Sequence, residues 1–192
     1  MKTFNILDIY RSKNTVFTAK DISLIWKETS LSIIKSRINY YVKKEKLYHL
    51  RRGVYAKDKN YNKFELATKI YTPSYLSLET ALQKEGIVFQ YYKSIFVISY
   101  LSREISCDGR IFIYKKIKYD ILTNPLGIKK EDNYFIATKE RAFLDALYLY
   151  KDYHFDNLRT VDWDLCLQII PIYDNQNLVK RFNSYYRLFK NA

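Results

Sequence analysis

The first 45 residues of the chain space their apolar side chains as three amphipathic helices do. Thr18, with Asp21 three residues later, predicts a capping box at the start of the second helix. Ser30 or Ser32 follows a polar turn and predicts the cap of the third helix. Three short helices are therefore predicted, over residues 2–12, 19–26 and 33–44.

A β-hairpin is predicted directly after the third helix. Apolar and polar residues alternate over residues 46–50 and 54–56, and Arg51, Arg52 and Gly53 between them supply the tight turn. Three helices followed by such a hairpin, the wing, are the layout of a winged helix-turn-helix, whose last helix enters the major groove of DNA. The sequence thus predicts a winged helix-turn-helix DNA-binding domain over residues 1–60.

The pattern beyond residue 60 mixes helices with strands. Thr72, Pro73 and Ser74 break the first of these helices, Ser77 is expected to cap the second, and Thr138 caps the third. No internal repeat and no Gly-, Ser- or Pro-rich linker is found. Helices are predicted over residues 61–71, 78–85, 139–148, 162–170 and 175–189, and strands over residues 94–100, 110–117 and 134–137. Residues 61–192 are therefore predicted to form a small α+β domain, and the whole chain is expected to have the α+β fold class.

Basic residues are concentrated in the first third of the chain. The sequence has 33 Lys and Arg against 20 Asp and Glu, a formal net charge of +13. Residues 1–60 contain 14 against 5, whereas residues 61–192 contain 19 against 15. An AT-rich genome would raise the lysine content everywhere and spread it evenly. The excess on residues 1–60 instead favours a polyanionic partner for this part of the chain.

The composition fits a folded cytoplasmic protein. Apolar residues make up 48% of the chain, enough for a real core. Two cysteines, Cys107 and Cys166, cannot build a disulfide framework, and there is no zinc-binding spacing of Cys and His. The N-terminal sequence Met-Lys-Thr-Phe-Asn-Ile-Leu-Asp carries a charge inside what would be the apolar core of a signal peptide, and no apolar run approaches the length of a membrane span. We therefore expect a cytoplasmic chain, without a membrane or cofactor partner.

A polar face on the third predicted helix supplies the candidate base-reading residues. At about 100° per residue, Ile34, Ile38 and Val42 fall on one side, and the polar residues fall within an arc of about 100° on the other. Asn pairs bidentately with adenine, Ser donates or accepts, and Lys contacts guanine or phosphate. An ordinary solvated helix surface is the alternative interpretation. The predicted DNA-binding residues of this helix are Ser32, Lys35, Ser36, Asn39 and Lys43.

Three cations on the wing complete the predicted DNA interface. Arg51, Arg52 and Lys57 are placed to contact phosphates or to enter the adjacent minor groove. The alternative is that these charges only keep the edges of the hairpin soluble.

The acidic and nucleophilic residues do not have a recognisable catalytic spacing. A nuclease of the restriction-endonuclease type needs an acid one residue before the catalytic lysine, but Ile113 and Tyr114 precede Lys115. His49 and His154 have no Ser or Cys partner at a known spacing, and four glycines form no phosphate-binding loop. We therefore expect no catalytic activity. The enzymatic alternative is a metal-dependent nuclease assembled from Glu79, Asp108, Asp120, Glu140, Asp145, Asp162 and Asp164.

A second basic group lies on the predicted strands after residue 100. Tyr100, Phe112, Tyr114 and Tyr119 are interleaved with it. Aromatic and cationic side chains on a sheet can bind nucleic acid or an acidic protein face, although strand alternation also buries such aromatics in a core. The basic residues of this group are Arg103, Arg110, Lys115, Lys116 and Lys118.

Three motifs occur in order along residues 50–145. Residues 50–55 read Leu-Arg-Arg-Gly-Val-Tyr, residues 73–82 read Pro-Ser-Tyr-Leu-Ser-Leu-Glu-Thr-Ala-Leu before Gly86, and residues 137–145 read Ala-Thr-Lys-Glu-Arg-Ala-Phe-Leu-Asp. Together they resemble the AbiE-type antitoxins of abortive-infection, type IV toxin–antitoxin systems. Residues 98–103, Ile-Ser-Tyr-Leu-Ser-Arg, differ from the Thr-Ser-x-Thr-like strand usual in that family.

The resemblance implies a protein with two functions. Its N-terminal winged helix would repress its own promoter by binding an inverted repeat in double-stranded DNA. Its C-terminal domain would counteract a co-encoded nucleotidyltransferase-like toxin without forming a stable complex with it. The second basic group is our candidate for the antitoxin surface. By contrast, Arg141 and Asp145 of the third motif are spaced as an i,i+4 ion pair and have a structural interpretation.

A third interpretation remains open from the sequence. The chain could be a one-component transcription factor whose second domain senses a small molecule, since an α+β domain rich in aromatic residues can enclose a pocket.

Overall fold

A computed structural model describes residues 4–190 of the chain, which form two compact units divided between Tyr71 and Thr72. Both units contain helices and strands, so the predicted α+β fold class is confirmed. Lys2, at the start of the first predicted helix, lies outside the described residues. Among residues 4–190, no helix combines the length and the apolar content that crossing a lipid bilayer requires.

The first unit contains four helices and one small sheet among its described residues. The elements are α1 (Ile6–Arg11), β1 (Val16–Thr18), α2 (Ala19–Trp26), α3 (Leu31–Lys43), β2 (Tyr48–Arg51), β3 (Val54–Ala56) and α4 (Lys63–Ile70). The sheet is antiparallel and has the strand order β1-β3-β2. Three helices and the hairpin are present as predicted, except that α1 begins at Ile6, after its cap Asn5, and not at residue 2. Strand β1 has no counterpart in the sequence prediction, because three residues are too few for a period of two to show.

Hydrogen bonds made by side chains connect the helices of the first unit around its apolar core. The capping box of α2 is present: the Asp21 N–H donates to the Thr18 hydroxyl at 3.1 Å, and the Thr18 N–H donates to the Asp21 carboxylate at 2.8 Å. The Trp26 indole donates to the carbonyl of Asn5, and the Tyr41 hydroxyl donates to that of Phe4. These bonds tie the chain at the start of α1 to α2 and α3.

Helix α4 belongs to the first unit. The buried Glu65 carboxylate accepts hydrogen bonds from the Thr15 N–H at 2.8 Å and from the Thr15 hydroxyl at 2.7 Å. The Lys69 ammonium lies 2.8 Å from the Asp21 carboxylate. Burial raises the pKa of Asp21, but the hydrogen bonds from Lys69 and Thr18 outweigh it, so this pKa lies below its ordinary value. The first unit therefore extends past residue 60, where the charge pattern puts the domain boundary.

The second unit is built on a six-stranded mixed sheet. The strands are β4 (Ser74–Leu76), β5 (Ile95–Ser99), β6 (Arg103–Cys107), β7 (Arg110–Lys116), β8 (Ile128–Glu131) and β9 (Tyr134–Ala137), and the helices are α5 (Leu78–Lys84), α6 (Tyr119–Thr123), α7 (Lys139–Leu149), α8 (Trp163–Ile169) and α9 (Gln176–Lys190). The strand order of the sheet is β6-β7-β5-β4-β9-β8, in which β5/β7 and β4/β9 are parallel pairs and the other pairs are antiparallel. A short 3₁₀ helix, Ile170–Tyr173, joins α8 to α9. The predicted strands correspond to β5, β7 and β9.

The core of the second unit contains an ion pair between Arg141 and Asp145. The Arg141 Nε lies 3.4 Å from the Asp145 Oδ1, and both side chains are fully buried. Asp145 also accepts hydrogen bonds from the hydroxyls of Ser77, Tyr75 and Tyr173. Burial alone would lower the pKa of Arg141, but the adjacent Asp145 carboxylate reverses this and raises it, so the guanidinium is charged.

This cluster explains two sequence features. The i,i+4 pairing of Arg141 with Asp145 is confirmed, and the pair lies in the interior of the unit. Ser77 precedes α5 as predicted, but its side chain does not cap that helix, because its hydroxyl donates to Asp145 at 2.7 Å instead. Both cysteines of the chain, Cys107 and Cys166, are also buried in the second unit. Burial raises the pKa of the Cys166 thiol far above its ordinary value.

Candidate nucleic-acid interface

The turn between α2 and α3 is fixed by its own hydrogen bonds. Lys27 ends α2 in the left-handed conformation, with φ of 50°. The Glu28 carboxylate accepts from the N–H groups of Thr29 and Ser30, both at 2.8 Å, and the Ser23 hydroxyl donates to the Glu28 carbonyl at 2.6 Å. Of the two predicted caps, Ser30 occupies the N-cap position of α3, although its side chain makes no capping hydrogen bond. The direction in which α3 leaves α2 is therefore set locally.

One side of α3 anchors the helix in the first unit. Ile34 and Ile38 are almost completely buried, and Tyr41 packs beside them against Trp26, with ring centroids 5.9 Å apart. These residues recur at three- and four-residue spacing, so they keep the opposite side of the helix in solvent. The sequence of α3 contains no Asp or Glu.

The solvent-facing side of α3 carries all of the base-reading residues predicted for this helix. Asn39 lies at the centre of this face, at about 100° per residue along the helix. Ile33 and Tyr40 lie at one rim and are 42% and 49% exposed. The predicted residues Ser32, Lys35, Ser36, Asn39 and Lys43 are all exposed.

The one arginine of α3 lies away from this face. Arg37 is about 160° around the helix from Asn39. Its guanidinium carbon lies 5.5 Å from the ring centroid of Phe4, a cation–π geometry. Arg37 is thus exposed on the side of the helix opposite Asn39.

The hairpin of β2 and β3 presents one of its three predicted cations at its turn. Gly53 has φ of 78°, which the tight turn requires, and Arg52 before it is exposed. The Ala19 N–H at the start of α2 donates to the Gly53 carbonyl at 3.1 Å. Arg52 is therefore placed on a turn that is tied to the helix pair.

The other two predicted hairpin cations contact the protein itself. Arg51 is half-buried, and its guanidinium carbon lies 6.0 Å from the ring centroid of Tyr71. The Lys57 ammonium donates to the Ser12 carbonyl at 2.9 Å. The partners of both cations lie far away in the sequence, so the sequence pattern gave no sign of them.

The second basic group is divided between the two faces of the sheet. Arg110 and Lys116 share one face of β7, on which Arg103 pairs opposite Tyr114, whereas Lys115 points to the other face. Lys115 lies 5.9 Å from the ring centroid of Tyr150, and Arg110 lies 3.1 Å from the Asp108 carboxylate. Arg103, Lys116 and Lys118 are exposed.

The interleaved aromatics also separate into two classes. Phe112 and Tyr114 are buried in the core, as strand alternation predicts, whereas Tyr100 and Tyr119 are exposed. The basic group therefore does not form one continuous cationic and aromatic surface.

The acidic residues of the nuclease alternative are dispersed. Within residues 4–190, no three His, Cys, Asp or Glu side chains are grouped so that they could hold a metal ion. Burial raises the pKa of Glu79, whose carboxylate accepts from the Tyr150 hydroxyl at 3.4 Å, and Glu140 accepts from the N–H of Asp162 at 3.2 Å. Glu79, Glu140 and Asp145 are buried, whereas Asp108, Asp120, Asp162 and Asp164 are exposed.

Comparison with known proteins does not identify the chain. No protein-family model matches the sequence, and no curated protein is significantly similar to it. The function is therefore inferred from the residues of the interface and from the motifs along the chain.

Proposed function

We propose that the chain is a transcriptional repressor and the antitoxin of a type IV toxin–antitoxin pair. In this proposal the first unit is a winged helix-turn-helix that binds duplex DNA, α3 is its recognition helix, and the β2–β3 hairpin is its wing. The observation that carries DNA binding is the exposed, acid-free face of α3 centred on Asn39. Arg52 on the wing adds a cation for the DNA backbone.

The electrostatics of the first unit support a nucleic-acid partner. Its sequence, residues 1–71, contains 16 Lys and Arg against 6 Asp and Glu. A protein that neutralises phosphates with such cations releases counterions, so its affinity for DNA falls steeply as the salt concentration rises. We therefore expect salt-sensitive binding at an inverted repeat in the chain's own promoter.

A mobility-shift assay on the DNA upstream of the gene tests this proposal. The full chain should bind at low salt, and the triple variant Lys35→Ala, Asn39→Ala, Arg52→Ala should lose most of the affinity. The triple variant Lys180→Ala, Asn183→Ala, Arg187→Ala is the matched control, because it removes the same residue types from exposed positions of α9. Lack of binding by the unmodified chain, or equal losses in the two variants, would show that the proposed interface is wrong.

The second unit is proposed to neutralise a nucleotidyltransferase-like toxin. The support is the resemblance of residues 73–86 and 137–145 to AbiE-type antitoxins. Since Arg141 and Asp145 of the second of these motifs are buried, they belong to the core of the unit and are not part of its surface. Of the candidate antitoxin residues, Arg103, Lys116 and Lys118 are exposed and can reach a partner. They would compete for the toxin's nucleic-acid substrate or dock on an acidic face of the toxin.

Expression of separate fragments tests whether the first unit represses transcription and the second unit neutralises the toxin. Residues 72–192 should restore growth in cells that express the adjacent toxin gene, and residues 1–71 should repress a reporter under the chain's own promoter. Changing Arg103, Lys116 and Lys118 together to Ser should abolish the rescue by the longer fragment. If no toxin gene is adjacent, or if only residues 1–71 restore growth, the antitoxin proposal is wrong.

A further inference from the structure

We infer that α3 reads A·T base pairs in the major groove: Asn39 pairs with an adenine, and Ile33 packs against the 5-methyl group of a thymine. This inference rests on the proposed DNA-binding function and specifies the bases that the same interface recognises. It is argued from the side chains that are present on the exposed face of α3 and from those that are absent from it.

Asn39 supplies the adenine contact. It is exposed at the centre of the face, and its amide carries one acceptor and one donor group. Adenine presents the matching pair in the major groove, the N6 amino donor and the N7 acceptor, so that Asn binds it through two hydrogen bonds.

The residues that flank Asn39 around this face do not include an arginine. Arginine makes the commonest specific contact to guanine, but Arg37 lies across the helix from Asn39 with its guanidinium 5.5 Å from the ring centroid of Phe4. Lys43 is the last residue of α3, whereas recognition helices contact bases with their N-terminal part. Lys35 lies at the edge of the face nearest the core. Lys43 is therefore positioned for a phosphate, and Lys35 borders Asn39 on the side opposite Ile33.

Ile33 supplies the thymine contact. It lies near the N-terminus of α3 and exposes 42% of its surface. The thymine methyl is the one apolar group that base edges present in the major groove, and aliphatic side chains pack against it. Six residues separate Ile33 from Asn39, which is about 9 Å along the helix axis and about two to three base-pair steps. The two contacts would thus fall about two to three base pairs apart within one half-site.

Replacing thymine by uracil tests the Ile33 contact without altering the protein. A consensus duplex is first selected from a random library with the full chain, and each thymine is then replaced in turn by uracil, which lacks only the methyl group. One replacement per half-site should weaken binding about fourfold, the effect of losing one buried methyl-sized group. In Ile33→Ala the same replacement should have no effect. Leu167→Ala, an exposed aliphatic position on α8, is the matched control and should keep the full difference.

Base substitution tests the Asn39 contact. Asn39→Ala should weaken binding to the consensus between about 5- and 150-fold and should abolish the preference for adenine at one position. Asn183→Ala, an exposed asparagine of α9, should leave both unchanged. A selected consensus with guanine at the positions protected by α3, or uracil effects that are the same in Ile33→Ala and in the unmodified chain, would overturn the inference. Failure to bind any duplex would instead overturn the proposed function itself.

Discussion

Arg52 and Lys57 are cations of the same hairpin region, but they have different surroundings. Arg52 is exposed on the turn, whereas the Lys57 ammonium is already bound to the Ser12 carbonyl. Only a cation that is available to solvent can neutralise a phosphate and release its counterion. The local contacts therefore decide which of the two contributes to the proposed DNA interface.

We predict that Arg52→Ala reduces the slope of log affinity against log salt concentration by about 0.9, the value for one phosphate contact. Lys57→Ala should leave this slope unchanged. Fluorescence anisotropy with a labelled operator duplex at a series of salt concentrations measures both slopes. Equal slopes in the two variants would contradict this assignment.

A second residue-scale prediction concerns the buried ion pair. Asp145→Asn keeps the size of the side chain but leaves the Arg141 charge buried without its counter-charge, which should lower the free energy of unfolding by about 3–5 kcal/mol. Asp8→Asn is the control, since the Asp8–Arg11 pair spans 3.7 Å at the surface and should contribute less than about 1 kcal/mol. Urea denaturation of the full chain measures both changes. Similar midpoints for the two variants would mean that the buried pair is not important for stability.

At the scale of the elements, the sequence predicts three of the four inner strands of the six-stranded sheet, but it misses the inner strand β4, the edge strands β6 and β8, and the short helix α6. The helices have clear periods and capping residues, and β5 and β7 are apolar runs that lie inside the sheet. Strand β6, Arg-Glu-Ile-Ser-Cys, is mostly exposed at the sheet edge and has no apolar alternation to mark it. It is a strand because its backbone pairs with β7 over five positions. That pairing arises only in the folded chain.

In the candidate site, too, the sequence predicts features that depend on local periodicity but not those that depend on contacts made in the folded chain. The exposed face of α3 could be predicted because Ile34 and Ile38 define the buried side through their spacing alone. The contacts of Arg51 and Lys57 could not be predicted, because they are made with Tyr71 and Ser12, which only the fold brings close to these cations. Local periodicity therefore predicts which side of a helix is exposed, and tertiary contacts decide which cations remain available.

Helix α4 gives an element-scale prediction. A fragment of residues 1–60 lacks Glu65 and Lys69, so Thr15 and Asp21 lose their partners, whereas a fragment of residues 1–71 keeps them. Because hydrogen bonds to charged groups are among the stronger ones, the shorter fragment should be less stable by at least about 2 kcal/mol. Thermal or urea denaturation compares the two, with Glu65→Gln in the longer fragment as an intermediate case. Equal stability would show that α4 is dispensable to the first unit.

Strand β8 is joined to α5 by an ion pair between Glu131 and Lys84. Lys84, Tyr134 and Lys129 donate hydrogen bonds to Glu131, and the contact with Lys84 is the main reason that the pKa of this carboxyl falls to about 2. A carboxyl whose pKa is lowered by folding stabilises the folded state above its unfolded pKa of 4.5, and this contribution disappears as the pH falls toward 2.

We therefore expect Glu131→Gln to be less stable than the unmodified chain by about 1 kcal/mol above pH 5, since the pair is partly screened by solvent. The difference should shrink to near zero at about pH 2. Urea denaturation at a series of pH values measures it. A difference that does not depend on pH would contradict this role of the Glu131 charge.

At the scale of the whole molecule, charge is divided unequally between the two units. Residues 1–71 hold 16 Lys and Arg against 6 Asp and Glu, and residues 72–192 hold 17 against 14. A concentrated positive field raises the rate at which a polyanion encounters that part of a protein, and salt weakens this effect. The proposed DNA interface thus lies in the unit with the larger positive field.

Because both cysteines lie in the second unit, the rate at which they are alkylated measures how often this unit opens. A cysteine thiolate attacks an alkylating reagent such as iodoacetamide and displaces iodide, but the Cys107 and Cys166 thiols are both buried, so modification must wait for this unit to open. The first unit contains no thiol, so mass added by iodoacetamide over time records openings of the second unit alone. Mass spectrometry should show slow alkylation of the unmodified chain and of Arg52→Ala, and much faster alkylation of Asp145→Asn. Equal rates in all three would mean that Asp145 does not hold the unit closed around its cysteines.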